Sequence, residues 1–455
     1  MSKLSNITVI LASAWALTAW AGLGLGKTLD DDDDTSSEYM IQLSRAENIT
    51  SSSTIRVKIF PHERDYQPHG RDEVLDAFTI HSENPCTVYK ANKDQIIAGA
   101  VVAKNQHSIA LRAQDLHNPV IIDCSENFTL ERNSGEARRE LTYSGLLYVH
   151  NVQKQGRTFL EAINVLSLRG YLRGVVPSEV YSHWPEEALK TQAVAARTYA
   201  VYHLMRARRF VPNRLWDVDD TVMYQAYTGI THQTESTDAA VFGTEGQILM
   251  YQGQVIQAFY HADSGGSTEE ASSIWHQPAP FTISRSEASD VEMNKALWEK
   301  SLSLKELTAK LQEITEFRKD RQIVRVVVPM AGQSSSGRVK AVAVIDHKGE
   351  YTLVAASVFK KAVGGLPSSL FSVDPSTEPG QILIKGLGAG HGGGMSQQGA
   401  AALAQRKAWS YRQILDYYYV RTSLCTIDSD QSQLPDCARE TMKYMKQVAV
   451  QFPSR

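Results

Sequence analysis

Residues Gly386–Gln398 read GLGAGHGGGMSQQ, with six glycines among the first nine positions and a helix-like run, GAAALAQ, directly after them. Gly388, Gly390 and Gly393 meet the G-x-G-x-x-G spacing of a dinucleotide-binding loop, and QILI before them can form a short strand. A dinucleotide fold also needs a second strand after the helix, to complete a right-handed βαβ unit. Here the helical pattern is followed by another, SYRQILDYYYV, and then by a short tail. Two readings remain: glycines that shape a sharp turn through positive φ, or a loop that brings bare backbone and His391 up to some other ligand.

The 455 residues are 42% apolar and 21% charged, the composition of a globular protein with room for two or three domains. Lys and Arg number 47 against 50 Asp and Glu, so no basic excess points to a nucleic acid. Lys3 precedes the uncharged run ITVILASAWALTAWAGLGLG, and TLDDDDDTSS follows it. A basic side before and an acidic side after orient such a run for export. Residues 1–28 are therefore expected to be a signal peptide, cut near Ala21 to Gly26, or a retained membrane anchor, since the run is just long enough to span a bilayer. Either way the protein is expected to work outside the cytoplasmic membrane, periplasmic or extracytoplasmic.

Residues 29–53 are acidic and rich in Ser and Thr, which implies a disordered linker. Residues 54–147 carry short β-like segments, TIRVKIF, CTVYK, IIAGAVVA and PVIID, between polar turns. The main domain is expected over 148–424, with 425–455 as a cysteine-bearing tail. Cys86, Cys124, Cys425 and Cys437 lack C-x-x-C spacing and are expected to pair locally, 86 with 124 and 425 with 437.

WPEEALKTQAVAARTYAVYHLMRARR predicts a long helix, with Pro185 at its start, Glu186 and Glu187 in the first turn and Arg206, Arg208 and Arg209 at the far end. Before it stands GVVPSEVYSHW. Glu179 has Val175, Val176, Pro177, Val180 and Trp184 around it, surroundings that can raise a carboxyl pKa toward that of a general acid; the plain alternative is a surface glutamate in a helical turn. Further polar clusters follow in WDVDDTVMYQAYTG, FYHADSGGSTEEASSIW and the glycine-rich stretch. Acidic groups, tyrosines and backbone-exposing glycines along one cleft suit a glycan. His261, Asp263 and His391 could hold a metal, but no H-E-x-x-H or comparable spacing supports it, and no G-x-S-x-G elbow marks a serine nucleophile. No metal or cofactor is expected.

In order, YLRGVVPSEV, EALKTQAVAARTYAVYH, DVDDTVMYQAYTG, FYHADSGGSTEE, LPSSLFSV and GAGHGGGMSQQGAAALA resemble the SpoIID/LytB family of cell-wall proteins, over about Tyr148 to Leu424. The resemblance implies an α/β fold of mixed strands and helices around an extended glycan-binding cleft, with the β-rich region N-terminal to it. It implies a peptidoglycan lytic transglycosylase that cuts between N-acetylmuramic acid and N-acetylglucosamine and leaves a 1,6-anhydro end. The family's catalytic glutamate falls on Glu179. Candidates to bind the glycan are Gln192, Arg197, Tyr227, Ser264, His391, Ser396 and Gln397, with the glycine loop opposite Glu179. The alternative the family offers is a non-catalytic wall-binding protein that modifies a cell-wall amidase. The sequence departs from the family pattern where Ala389 and Gln398 replace an aromatic and a tyrosine, and where Lys360 or Lys361 replaces an arginine. It also lacks the cysteines with which some relatives bind zinc.

Overall fold

The computed structural model of the chain describes residues 8–10, 54–59, 76–92, 96, 98–134, 137–154, 156–287, 297–375 and 378–427. They fall into two compact units. The sheet unit comprises 54–258 with 408–416 and 421–427; the glycine-loop unit comprises 259–407 with 417–420 and the strand 8–10.

The sheet unit is built on seven strands in the order Ala98–Arg112, Ala77–Ala91, Val120–Ser134, Ala137–Lys154, Arg157–Ser167, Thr54–Ile59 and Val218–Asp219. Neighbours are antiparallel except the last pair, which runs parallel through Val57↔Val218. The two-residue side-chain period explains the strand Thr54–Ile59: Ile55, Val57 and Ile59 are buried on one face. Arg56, on the other face, is buried too because it is paired with Asp217. The expected division at 147 falls inside the strand Ala137–Lys154, so one sheet runs through it. Cys86 and Cys124 form a disulfide between strands Ala77–Ala91 and Val120–Ser134.

Three helices follow the sheet. α1, Leu168–Glu179, starts where the hydroxyl of Ser167 accepts the Gly170 N–H at 2.9 Å, which ends the strand and caps the helix. α2, Glu186–Phe210, begins one residue after Pro185, whose carbonyl accepts the Ala188 and Leu189 N–H groups. Glu186 and Glu187 complement its N-terminal dipole and both pair with Lys190. Burial of Leu189, Val194, Val201 and Leu204 stabilises its inner face by roughly 1.5–3 kcal/mol per side chain. α3, Glu235–Gly243, is tied to α1 by the paired Arg173–Asp238 hydrogen bonds at 3.0 and 2.8 Å.

The glycine-loop unit has one antiparallel sheet of Leu297–Ser303, Gln381–Leu387 and Phe371–Pro375. A second sheet holds Ile323–Val327, Ala341–Asp346 and Tyr351–Ala355, with Thr8–Ile10 parallel at its edge. Its helices are α4, Ala271–Trp275, α5, Leu304–Ile314, α6, Ala356–Ala362, and α7, Gln397–Lys407. Leu307 and Leu311 of α5, Phe359 of α6 and the strand residues Val342 and Ile384 meet in its fully buried core. The fold is α/β with mixed strands and helices and a β-rich N-terminal region, as the sequence predicts. Among the described residues no helix is long and apolar enough to cross a membrane. Apart from the strand 8–10, the expected export segment and acidic linker lie outside the described residues, as do Cys437 and the tail beyond 427.

Candidate functional site

In the sheet unit the candidate site forms where α1 ends. Gly174 lies so close to the loop before α3 that a Cβ there would sit 2.4 Å from the Gly229 carbonyl oxygen and 2.6 Å from the Tyr227 ring. Ser178 Oγ lies 2.7 Å from Thr228 Oγ1 across the same contact. The loop is thereby fixed against α1, and its Ala226 N–H donates to Glu179 Oε1 at 2.8 Å. Glu179, the last residue of α1, is half-buried.

Two buried tyrosines feel the charge of that carboxyl. Burial, with the charges of Glu179 and Asp219 adding to it, pushes the Tyr171 and Tyr199 phenols above their usual range and keeps them protonated. Tyr171 donates to Gln225 Oε1 at 3.2 Å. Asp219 Oδ1 accepts the Thr221 N–H and hydroxyl at 2.9 and 2.6 Å, a local turn. His203, which lies 4.3 Å from the Tyr199 ring centre, has its pKa lowered to about 3, chiefly by burial and then by Arg206 and Arg214.

The other candidates in this unit are interior. Tyr227 is 1% exposed; its hydroxyl donates to Asn164 Oδ1 at 2.7 Å and its ring packs against Tyr143 and Tyr171. Arg197 is 3% exposed and donates to the Val241 and Gln247 carbonyls at 3.1 and 3.2 Å, joining α2 to the end of α3. Gln192 is buried in α2 as well.

In the glycine-loop unit, bridges Asp263↔Ala389 and Glu269↔Gly393 and the paired strands Tyr260–His261 and Met395–Ser396 lay the glycine stretch along residues 260–269. The space left by its missing side chains is filled by the protein itself. A Cβ on Gly392 (φ +86°) would meet the Arg338 guanidinium at 2.2 Å, and one on Gly394 (φ +70°) the Phe259 carbonyl oxygen at 2.0 Å. The glycines thus serve turn shape and close packing.

Arg338, itself buried, donates to the Ser264 and Ser267 carbonyls at 2.7 and 2.6 Å. Ser264, fully buried, donates to Glu287 Oε2, and Tyr418 donates to Oε1. Burial raises the pKa of Glu287 despite these bonds. Ser396, also fully buried, accepts the Gly399 N–H at 3.1 Å and starts α7; Gln397 is buried beside it. His391 is half-buried, and its pKa is lowered to about 4 by burial first and Arg338 second. Its Nδ1 accepts the Gly393 N–H at 3.1 Å and the ring also bonds the Tyr260 backbone, so the protein uses its polar atoms internally. The ring stands edge-to-face on the half-buried Trp275, 4.7 Å away, and Trp275 is stacked at 3.9 Å on Phe259. Among the described residues no three His, Cys, Asp or Glu side chains converge as metal ligands.

Comparison with known proteins bears on both units. The family described as Stage II sporulation protein matches residues 156–251, and a domain of unknown function matches 282–394. Stage II sporulation protein D of Bacillus subtilis is 31% identical over 293 residues, 60% of this chain and 78% of that protein. The chain belongs to the SpoIID/LytB family. An uncharacterised protein of Brachyspira hyodysenteriae is 29% identical over 76% of this chain and 89% of its own. The amidase enhancer of Bacillus subtilis is 29% identical over 56% of this chain, which spans 40% of that longer relative.

The SpoIID match contains Glu179, Gln192, Arg197 and Tyr227; the second match runs through His391 and stops short of Ser396 and Gln397. Arg338, Trp275, Glu287 and Tyr199 were not singled out from the sequence. Arg338 had one legible trace: a glycine at 392 with no side chain of its own, against which a flat guanidinium can lie.

Proposed function

We propose that this chain is a lytic transglycosylase that cuts peptidoglycan glycan strands between N-acetylmuramic acid and N-acetylglucosamine outside the cytoplasmic membrane, with Glu179 as acid and base. The observation that carries the reading is a half-buried carboxyl at a helix end, oriented by the Ala226 N–H. Most glycosidases that use water pair two carboxyl groups, one as acid and one as nucleophile or base. Here the muramic C6 hydroxyl attacks C1 in place of water. Protonated Glu179 gives its proton to the departing glycosidic oxygen as the C1–O bond breaks, then takes one from the C6 hydroxyl as the anhydro bond closes. The carboxyl ends the cycle protonated, as it began.

In this reading residues 148–424 carry the activity. Gln192, Arg197 and Tyr227 act through the frame of the sheet unit, and Ser264, Ser396 and Gln397 through that of the glycine-loop unit, since all six are interior. His391 is the one half-buried candidate of the glycine-loop unit, its ring edge-to-face with Trp275.

The test is mass spectrometry of fragments released from wall sacculi, intact and stripped of stem peptides, by the wild type and by Glu179→Gln. Anhydro-muramic ends from the wild type alone support the reading; reducing ends mean hydrolysis and refute it. A second reading, a wall-binding protein that modifies an amidase, is favoured by the amidase enhancer relative. It predicts binding to stripped wall by both proteins and release of fragments by neither.

A further inference from the structure

Immediately after Glu179 the chain makes a short turn, Tyr181 to Trp184, that no step above uses. Its position is fixed three ways: the Trp184 N–H donates to the Tyr181 carbonyl at 3.0 Å, Ser236 Oγ donates to the Ser182 carbonyl at 2.7 Å, and Pro185 leads into α2. Three aromatic rings gather on it. Tyr181 is stacked on His183 with centres 5.5 Å apart, and meets Trp184 edge-on at 5.7 Å. Yet Tyr181 is 62% exposed, so the face turned away from His183 is open to solvent.

A single exposed tyrosine means little. A rigid cluster of three rings on a pinned turn is different, because apolar surface held out in water without a partner is a cost that the chain offsets elsewhere. Val180 between Glu179 and Tyr181 is extended, so the two residues' backbones lie within about 7 Å of one another. The loop that supplies the Ala226 N–H exposes Val222 and Met223 as well. No Lys, Arg, Asp or Glu stands in 180–184, which favours a neutral ligand with an apolar face over an ionic one.

We propose that the turn Tyr181 to Trp184 is a stacking shelf for one sugar ring of the glycan strand, next to the ring on which Glu179 acts, with Tyr181 as the residue that sets its affinity. The inference rests on the reading of Glu179 as the group that cuts the glycan. The open face of Tyr181 meets the C–H face of the sugar, and its hydroxyl reaches the sugar's rim.

Affinity and turnover are measured separately. Binding of peptide-free glycan strands is titrated calorimetrically in the Glu179→Gln protein, alone and combined with Tyr181→Ala or Tyr181→Phe. Tyr181→Ala is expected to weaken binding roughly five- to tenfold and Tyr181→Phe to restore most of it. With Glu179 intact, Tyr181→Ala raises KM by a similar factor and leaves kcat within about twofold. Circular dichroism and Tm stay at wild-type values, because the ring is exposed. Equal affinity and equal KM in Tyr181→Ala overturn the shelf. If the wild type releases no fragments, the catalytic reading of Glu179 fails, and the binding comparison still decides the shelf: weaker binding upholds it, equal binding overturns it. No binding by any of the proteins overturns both.

Discussion

Replacing Asp217 with Asn tests whether a buried ion cluster holds the strand Thr54–Ile59 to the end of α2. The carboxylate has no exposure and accepts from Arg56 Nε and Nη2 at 3.2 and 2.7 Å, from Arg208 Nε and Nη2 at 3.1 and 3.0 Å, and from the Arg56 backbone N–H at 3.0 Å. Burial alone would push this carboxyl up; the guanidinium groups of Arg208 and Arg56 outweigh it and hold it well below the usual range. Asn keeps the shape, removes the charge and turns an NH2 group toward a guanidinium. Two cations then remain in the interior, at a cost of about 3–5 kcal/mol for a broken buried pair, a large share of a stability of about 5–15 kcal/mol. Urea unfolding followed by tryptophan fluorescence reads the loss, and neighbouring Trp216 reports on the site. Because the folded pKa is depressed, the cluster contributes in full above the unfolded value of about 3.9 and loses its contribution as pH falls below it. Wild type and variant should therefore differ at pH 7 and converge in acid. A loss below about 1 kcal/mol at pH 7, or parallel acid curves, would refute the reasoning.

Four further outcomes are expected. Gly392→Ala drives a Cβ into Arg338 at a positive φ, and should cost at least about 2 kcal/mol in urea titrations of the glycine-loop unit. Tyr227→Phe loses the bond to Asn164 and about 1 kcal/mol of stability, with glycan affinity unchanged in a calorimetric titration. His203 and His391, lowered to about 3 and about 4, should show flat ring-proton NMR shifts from pH 8 to 5; since folding holds them neutral, they favour unfolding as pH drops from about 6.5 toward those values. Replacing Cys86 and Cys124 together with Ala opens a link across 38 residues and should lower stability by about 2–4 kcal/mol in thermal melts.

The helices were legible because their signals are local. The acidic start and basic end of α2 placed it to within one residue. Strand lengths were not legible. Ala98–Arg112 was read as a short segment, yet it spans 15 residues, most of them solvated on both faces, so no alternation of apolar and polar residues announces it. The site divides in the same way. Glu179 is a candidate because of its apolar neighbours and the family blocks, whereas the burial of Tyr227 and Ser264 depends on partners, Asn164 and Glu287, far along the chain. A polar side chain looks the same in sequence whether it faces a ligand or a distant part of its own fold.

The glycine stretch carries a consequence for evolution. Each of Gly388, Gly390, Gly392 and Gly394 pairs a left-handed backbone with an atom of the protein in the place a methyl group would need. Such positions offer selection no intermediate steps, since the smallest change available, a single carbon, already collides with main chain, the Cβ of His261 or the Arg338 guanidinium. Exposed positions such as Tyr181 are free to drift while this loop stays frozen, so a run of invariant glycines in descendants would mark the packing of the fold and not its chemistry.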